Sequence, residues 1–219
     1  LLPLAKTYLG ADMAGFNEVE SAYTFGRGNW QFELTDNELT VSGGFFDMIS
    51  DFDASIAGGC HLHYGTAIET GPIALILNPR VDAGLRSGTF PSDDNKFTIS
   101  NGLRDSLLAG QIYVNLHSQR YPAGELRSQL LRDDNKFPVG AVVVNSPTVG
   151  DTIMLEDVAT VTFDVASRNL VDPDGDLVVY NYRLSTTQDF SGAFYSEKVT
   201  SAEPASYDAA AIYAAAIDT

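Results

Sequence analysis

Three histidines are the whole complement of that residue in this chain of 219, and their spacing invites a metal ion. His61 and His63 stand two apart in Gly58-Gly-Cys-His-Leu-His-Tyr-Gly, and His117 follows in Gln111-Ile-Tyr-Val-Asn-Leu-His-Ser. Alternate side chains of a strand share a face, so His61 and His63 project together while Cys60, Leu62 and Tyr64 take the other side. The same parity sets His117 with Asn115 and Tyr113, opposite the aliphatic row Ile112, Val114 and Leu116. Both histidine faces lie away from the apolar ones, on what reads as the outer wall of a sheet. If the two strands are neighbours the three imidazoles converge, and imidazole suits copper, zinc, iron or nickel. Such a site is expected to weaken below roughly pH 6, because a ligating ring must be neutral. The plainer alternative is that the histidines brace loops by hydrogen bonds, or pair with Glu125, and hold no metal.

Other charged residues carry weaker signals. Glu125 and Arg127 are two apart and share a strand face, which suits a structural ion pair at the surface rather than catalysis. Asp172, Asp174 and Asp176 place hard carboxylates at alternate positions around Gly175, a pattern that fits calcium. Asp-Pro-Asp-Gly is equally an ordinary turn, and the distal glutamate of an EF-hand loop is missing. Cys60 faces away from His61 and reads as a small buried apolar residue. The chain has no glycine-rich phosphate loop, Gly-x-Ser-x-Gly elbow or His-Glu-x-x-His. An enzyme therefore has little to stand on.

The elements that must position these residues are mostly strands. Gly28-Asn-Trp-Gln-Phe-Glu-Leu alternates Trp30, Phe32 and Leu34 with polar neighbours, and Thr35-Asp-Asn-Glu turns it into Leu39-Thr-Val-Ser-Gly-Gly-Phe-Phe as a hairpin. Leu103-Arg-Asp-Ser-Leu-Leu-Ala-Gly reads as a short helix, capped by Ser100 or Asn101 and ended by Gly110. Near Lys136 to Ser146 the character changes, and Val139-Gly-Ala-Val-Val-Val enters a second run of strands. An all-β fold follows, an antiparallel sandwich or barrel with one short helix over residues 1–137 and a smaller β-domain over 138–219. The Ala-rich end supplies no convincing last strand, so the second domain reads as cut short at its C-terminus.

Composition narrows the partners. Hydrophobic residues are 44% and charged ones 19%, the balance of a globular chain. Against 13 Lys and Arg stand 29 Asp and Glu, a formal charge of -16 that repels phosphate backbones and makes nucleic acid an unsuitable partner. Twelve acidic but only three basic residues fall after residue 140, so the smaller part carries most of the excess. One cysteine excludes an internal disulfide, and no apolar run approaches the roughly 18 residues of a membrane span. The first residues, without a start Met or a basic leader, read as a mature or trimmed beginning.

The first segment resembles the CHRD domain, first described in chordin and widespread in bacterial surface and secreted proteins. Gly15-Phe-Asn-Glu-Val-Glu resembles the family's opening Gly-x-x-Glu-Val-Pro, with Glu20 in place of proline. Cys60-His-Leu-His-Tyr-Gly resembles Ala-His-Ile-His-Gly, with Tyr64 inserted. Leu107-Leu-Ala-Gly-Gln-Ile-Tyr-Val-Asn-Leu-His-Ser resembles Leu-Leu-Ala-Gly-x-Leu-Tyr-Val-Asn-Val-His-Thr, and Tyr121-Pro-Ala-Gly-Glu-Leu-Arg-Ser-Gln-Leu resembles the closing Pro-x-Gly-Glu-Ile-Arg-Gly-Gln-Leu. The resemblance covers about residues 5–131. Beyond residue 140 the chain looks like the Ig-like and fibronectin-like modules of bacterial surface proteins. These resemblances imply an extracellular or cell-surface, non-enzymatic module with a protein or surface-assembly partner, open to homo-oligomer formation. His-x-His with a distant His also resembles the copper ligands of Cu/Zn superoxide dismutases, which puts copper ahead of zinc in the alternative reading. Three histidines are too few for the full dinuclear site of those enzymes.

Overall fold

In the computed structural model, which describes residues 6–146, 160–175, 177–185, 193–199 and 205–208, the alternating segments become an antiparallel meander. It runs β1 (Lys6–Ala14), β2 (Arg27–Thr35) and β3 (Glu38–Phe46). The expected hairpin is β2 with β3: Thr35 faces Glu38 across a turn at Asp36 and Asn37, and the register runs unbroken to Arg27 opposite Phe46. Trp30, Phe32 and Leu34 are buried while Asn29 and Gln31 are exposed, so one face of the ribbon meets the core and the other meets water.

The chain continues through β4 (Cys60–Tyr64), β5 (Ile73–Ile76), β6 (Arg80–Val81), β7 (Gly88–Phe90) and β8 (Lys96–Thr98). Helix α1 (Asn101–Leu108) follows, then β9 (Ile112–Leu116), β10 (Leu126–Gln129) and β11 (Leu131–Arg132). The strands form one sheet in the order β5-β4-β9-β10-β1-β2-β3-β7-β6, with β11 on β1 and β8 on β3. It curls into an antiparallel half-barrel. Leu9, Phe32, Val41, Leu62, Val114 and Leu116 fill the apolar side and are fully buried. Helix α1 adds Leu103 and Leu107 to that core. Of its two candidate caps Ser100 is used: its hydroxyl accepts the Leu103 N–H at 3.2 Å.

The order of strands decides the site. β4 and β10 flank β9, so His61 lies opposite Asn115 and His63 opposite Tyr113 on one side, while Arg127 and Gln129 oppose the same two residues on the other. The chain divides into two units, residues 1–135 and 136–219. Within the second, β12 (Val139–Ser146), β13 (Thr160–Val171) and β16 (Ala205–Asp208) form one sheet and β14 (Tyr180–Ser185) with β15 (Ala193–Val199) another. No helix among the described residues is long and apolar enough to cross a membrane.

Because the first unit holds its own core, a chain ending at Asn135 is expected to give a β-type circular dichroism spectrum and a cooperative melt. A sloping, non-cooperative melt would show that the core needs the remaining residues.

Candidate metal centre

The histidines share a face, as parity requires, but that face is not an outer wall. His61 is 1% exposed and His117 5%, with His63 half-buried. Segments at residues 15–26, 47–59 and 65–72 fold over the sheet and hydrogen-bond to the polar residues there, so the expectation of an outward-facing site is corrected. Parity reports which side of a strand a residue takes and says nothing about what later covers it. Both faces of β9 are buried in consequence.

The covering segments also fix each ring. His61 Nε2 lies 2.9 Å from the Ile56 carbonyl and 2.8 Å from that of Ala57. His63 Nδ1 lies 2.9 Å from the Gly71 carbonyl, and His117 Nδ1 2.9 Å from that of Pro122. A carbonyl only accepts, so each of these nitrogens must carry the ring proton. The other nitrogens, His61 Nδ1, His63 Nε2 and His117 Nε2, are then bare lone pairs in the neutral rings. They face one another: His61 Nδ1 is 3.2 Å from His117 Nε2 and 3.4 Å from His63 Nε2, and all three lie within 4.8 Å.

Three lone pairs pointed together suit a cation. Two imidazole nitrogens bound to one tetrahedral ion at about 2.0–2.1 Å stand about 3.3 Å apart, close to the two separations made by His61 Nδ1, while the third pair lies within 4.8 Å. Burial pushes the His117 pKa down to about 4, and burial likewise lowers that of His63. His117 and His63 therefore stay neutral and ready to ligate below their ordinary range, and for these two the expected loss near pH 6 moves to lower pH. Among the described residues this is the grouping that gathers three potential ligand side chains.

Local backbone conformation is what brings the carbonyls in. Ala57, Gly58 and Gly59 all have positive φ, at 45°, 86° and 84°, and Ala57 is a residue that seldom adopts it. That left-handed run turns the Ile56 and Ala57 carbonyls back onto His61. At Gly71 a Cβ would strike the Tyr64 carbonyl, so the close return that presents the Gly71 carbonyl to His63 requires glycine.

A buried polar layer supports the cluster. The Arg127 guanidinium lies 3.4 Å from the centroid of the Tyr113 ring, on which the His63 imidazole also stacks at 5.0 Å. Arg127 Nη2 donates to the Thr66 and Glu69 carbonyls at 2.7 and 2.8 Å, and the Gly71 N–H donates to the Tyr113 hydroxyl. Thus Arg127 and Tyr113 hold the segment whose Gly71 carbonyl orients His63. Asn115 donates to the Glu18 carboxylate. Glu125 Oε1 accepts the Thr24 hydroxyl and the Ile49 N–H, both at 2.7 Å.

Glu125 and Arg127 are thereby corrected from a surface ion pair to two fully buried residues that hold separate loops. Glu125 also makes no bond to a histidine, so that part of the bracing alternative is set aside. Cys60 is fully buried, and burial pushes its thiol well above the usual range. In the acidic turn Asp172 Oδ1 accepts the Asp174 N–H at 2.9 Å, and Asp174 accepts the Lys136 N–H at 2.7 Å and pairs with its ammonium. Asp176 lies outside the described residues. Ordinary turn bonds engage Asp172 and Asp174, and the calcium expectation gains nothing from them. Strand parity places Tyr113 and Asn115 on the face of His117 without giving them a role, and Glu18 enters the sequence reading only within Gly15-Phe-Asn-Glu-Val-Glu; the loops these residues meet are not visible in their spacing.

Comparison with known families agrees with the motifs. The family described as CHRD domain matches residues 9–130. The chain belongs to the CHRD family. All three histidines and the polar layer lie within that CHRD region, and membership suggests an extracellular binding module. No curated protein and no solved structure matches the chain.

Between pH 6.5 and about 4 an unfolded imidazole binds a proton that folded His117 does not, so the unfolded state holds more protons and stability rises with pH. In chelator-treated protein, His117 alone is expected to cost on the order of 3 kcal/mol across that window. Urea unfolding of wild type and His117→Asn at several pH values checks this, the stability difference between them shrinking as pH falls. A difference independent of pH would contradict it.

Proposed function

We propose that the CHRD region is an extracellular, non-enzymatic binding module whose ligand is a first-row transition metal ion, held by His61 Nδ1, His63 Nε2 and His117 Nε2. One observation carries the reading: three ring nitrogens converge while the opposite nitrogen of each ring is claimed by a backbone carbonyl. That arrangement is the usual support of a metal-ligating histidine, since the outer hydrogen bond fixes both tautomer and ring direction. Copper is the first choice and zinc the second. The half-buried His63 gives the ion its way in.

Assembly at a surface is a second role compatible with the first. Among the described residues no strand pairs with the outer side of β5, and Ile73 and Ile76 are exposed there beside the histidine strand. This edge supports a protein or surface-assembly partner, including another copy of the chain. Residues after 136, with their antiparallel sheets, are read as the accompanying Ig-like module.

Titration calorimetry of chelator-treated protein should find one transition-metal ion per chain at pH 7, retained at pH 5.5. His63→Ala should weaken binding at least 100-fold, and Cys60→Ala should leave it within a few-fold, because the thiol lies on the other strand face. No binding by the wild type, or equal binding by His63→Ala, would refute the metal reading.

A further inference from the structure

The charge state of the ion can be read from its surroundings, on the reading that the three histidines hold a metal. All three donors are neutral, and neither carboxylate nor thiol joins them among the described residues. Asp53 is the acidic group that acts on His117, and its side chain is engaged with the Ser55 N–H and hydroxyl. Cys60 sits on the opposite face of β4. Of the buried charged groups in the polar layer, Arg127 and Glu18 act on each other and Glu125 holds the Thr24 hydroxyl and the Ile49 N–H, so none of them is a ligand in the cluster. An ion in the cluster therefore meets no charged donor, and His61 and His117 bury it on two sides while the half-buried His63 leaves one way in.

Burying charge costs free energy roughly as the square of that charge, so a divalent ion is about four-fold worse placed than a monovalent one. Zinc and cupric ions offset this with a bound anion or with extra water ligands, which two buried rings confine to the side of His63. The cuprous ion is monovalent, has a filled d shell and is content with three ligands. Imidazole is within its donor range.

We propose that the histidine cluster is a cuprous-ion site, selective for Cu+ over Cu2+ and Zn2+ through the neutrality and burial of its donors. No anion or water is then needed to complete it. Divalent ions still reach the three nitrogens, at lower affinity, against the usual order in which Cu2+ outbids its neighbours.

The test uses the full chain, stripped with chelator. Under anaerobic conditions Cu+ is competed against bicinchoninate, and Zn2+ and Cu2+ against chromogenic chelators at the same pH. The expected result is one Cu+ per chain, with a Kd at least 100-fold below those for Zn2+ and Cu2+. The X-ray absorption edge of the copper-loaded chain should be that of Cu+, with three nitrogen scatterers and no sulfur. If Zn2+ or Cu2+ binds at the histidines as tightly as Cu+, the selectivity is wrong and the three-histidine reading stands. If no ion is held, or His63→Gln holds them as well as the wild type, that reading fails too. Should His63→Gln fold poorly, the scatterers in the wild-type spectrum decide, and oxygen or sulfur ligands would place the copper elsewhere and overturn the proposal.

Discussion

A neutral imidazole has one proton and two nitrogens, and on this constraint the first unit is built. Once a backbone carbonyl claims the proton-bearing nitrogen, the other can only accept. The chain does this three times over, with carbonyls from Ile56 and Ala57, from Gly71 and from Pro122. Leaving such lone pairs against one another costs roughly 1–3 kcal/mol for each that is buried, a cost that a cation among them would relieve. The sheet order exists on the same terms: β4 must neighbour β9 for His61 and His117 to meet.

Around that centre the half-barrel divides its labour between faces. The concave side buries aliphatic and aromatic residues and supplies the stability. The opposite side, normally wet in an antiparallel sheet, is covered by three segments and filled with Arg127, Glu125, Glu18, Asn115 and Tyr113. Buried charges are costly, and these are held by loop carbonyls, N–H groups and an aromatic ring rather than by simple pairing. Arg127 illustrates the result: burial lowers the pKa of its guanidinium, and it still binds the loop that orients a histidine one ring away.

Much of this was legible in the sequence, for a simple reason. Strand parity is a local property, so Trp30, Phe32 and Leu34 declared the core face of β2, and His61, His63 and His117 declared a common face of theirs. The CHRD motifs placed the same residues in order. What escaped was non-local. Nothing in the spacing of Glu125 and Arg127 shows that Thr24, Ile49, Thr66 and Glu69 arrive from distant segments to become their partners. The burial of His61 was hidden for the same cause, since it depends on the left-handed run Ala57–Gly59 turning back over the strand.

The central claim is about protons, and protons can be observed. A long-range proton–nitrogen correlation spectrum of the chelator-treated chain, at pH 7, reads which nitrogen of each histidine is protonated. The account predicts a proton on Nε2 of His61 and on Nδ1 of His63 and His117, with the remaining three nitrogens bare. A proton on His61 Nδ1, shared with His117 and His63, would mean that a hydrogen-bonded brace occupies the place assigned to a metal, and would contradict it.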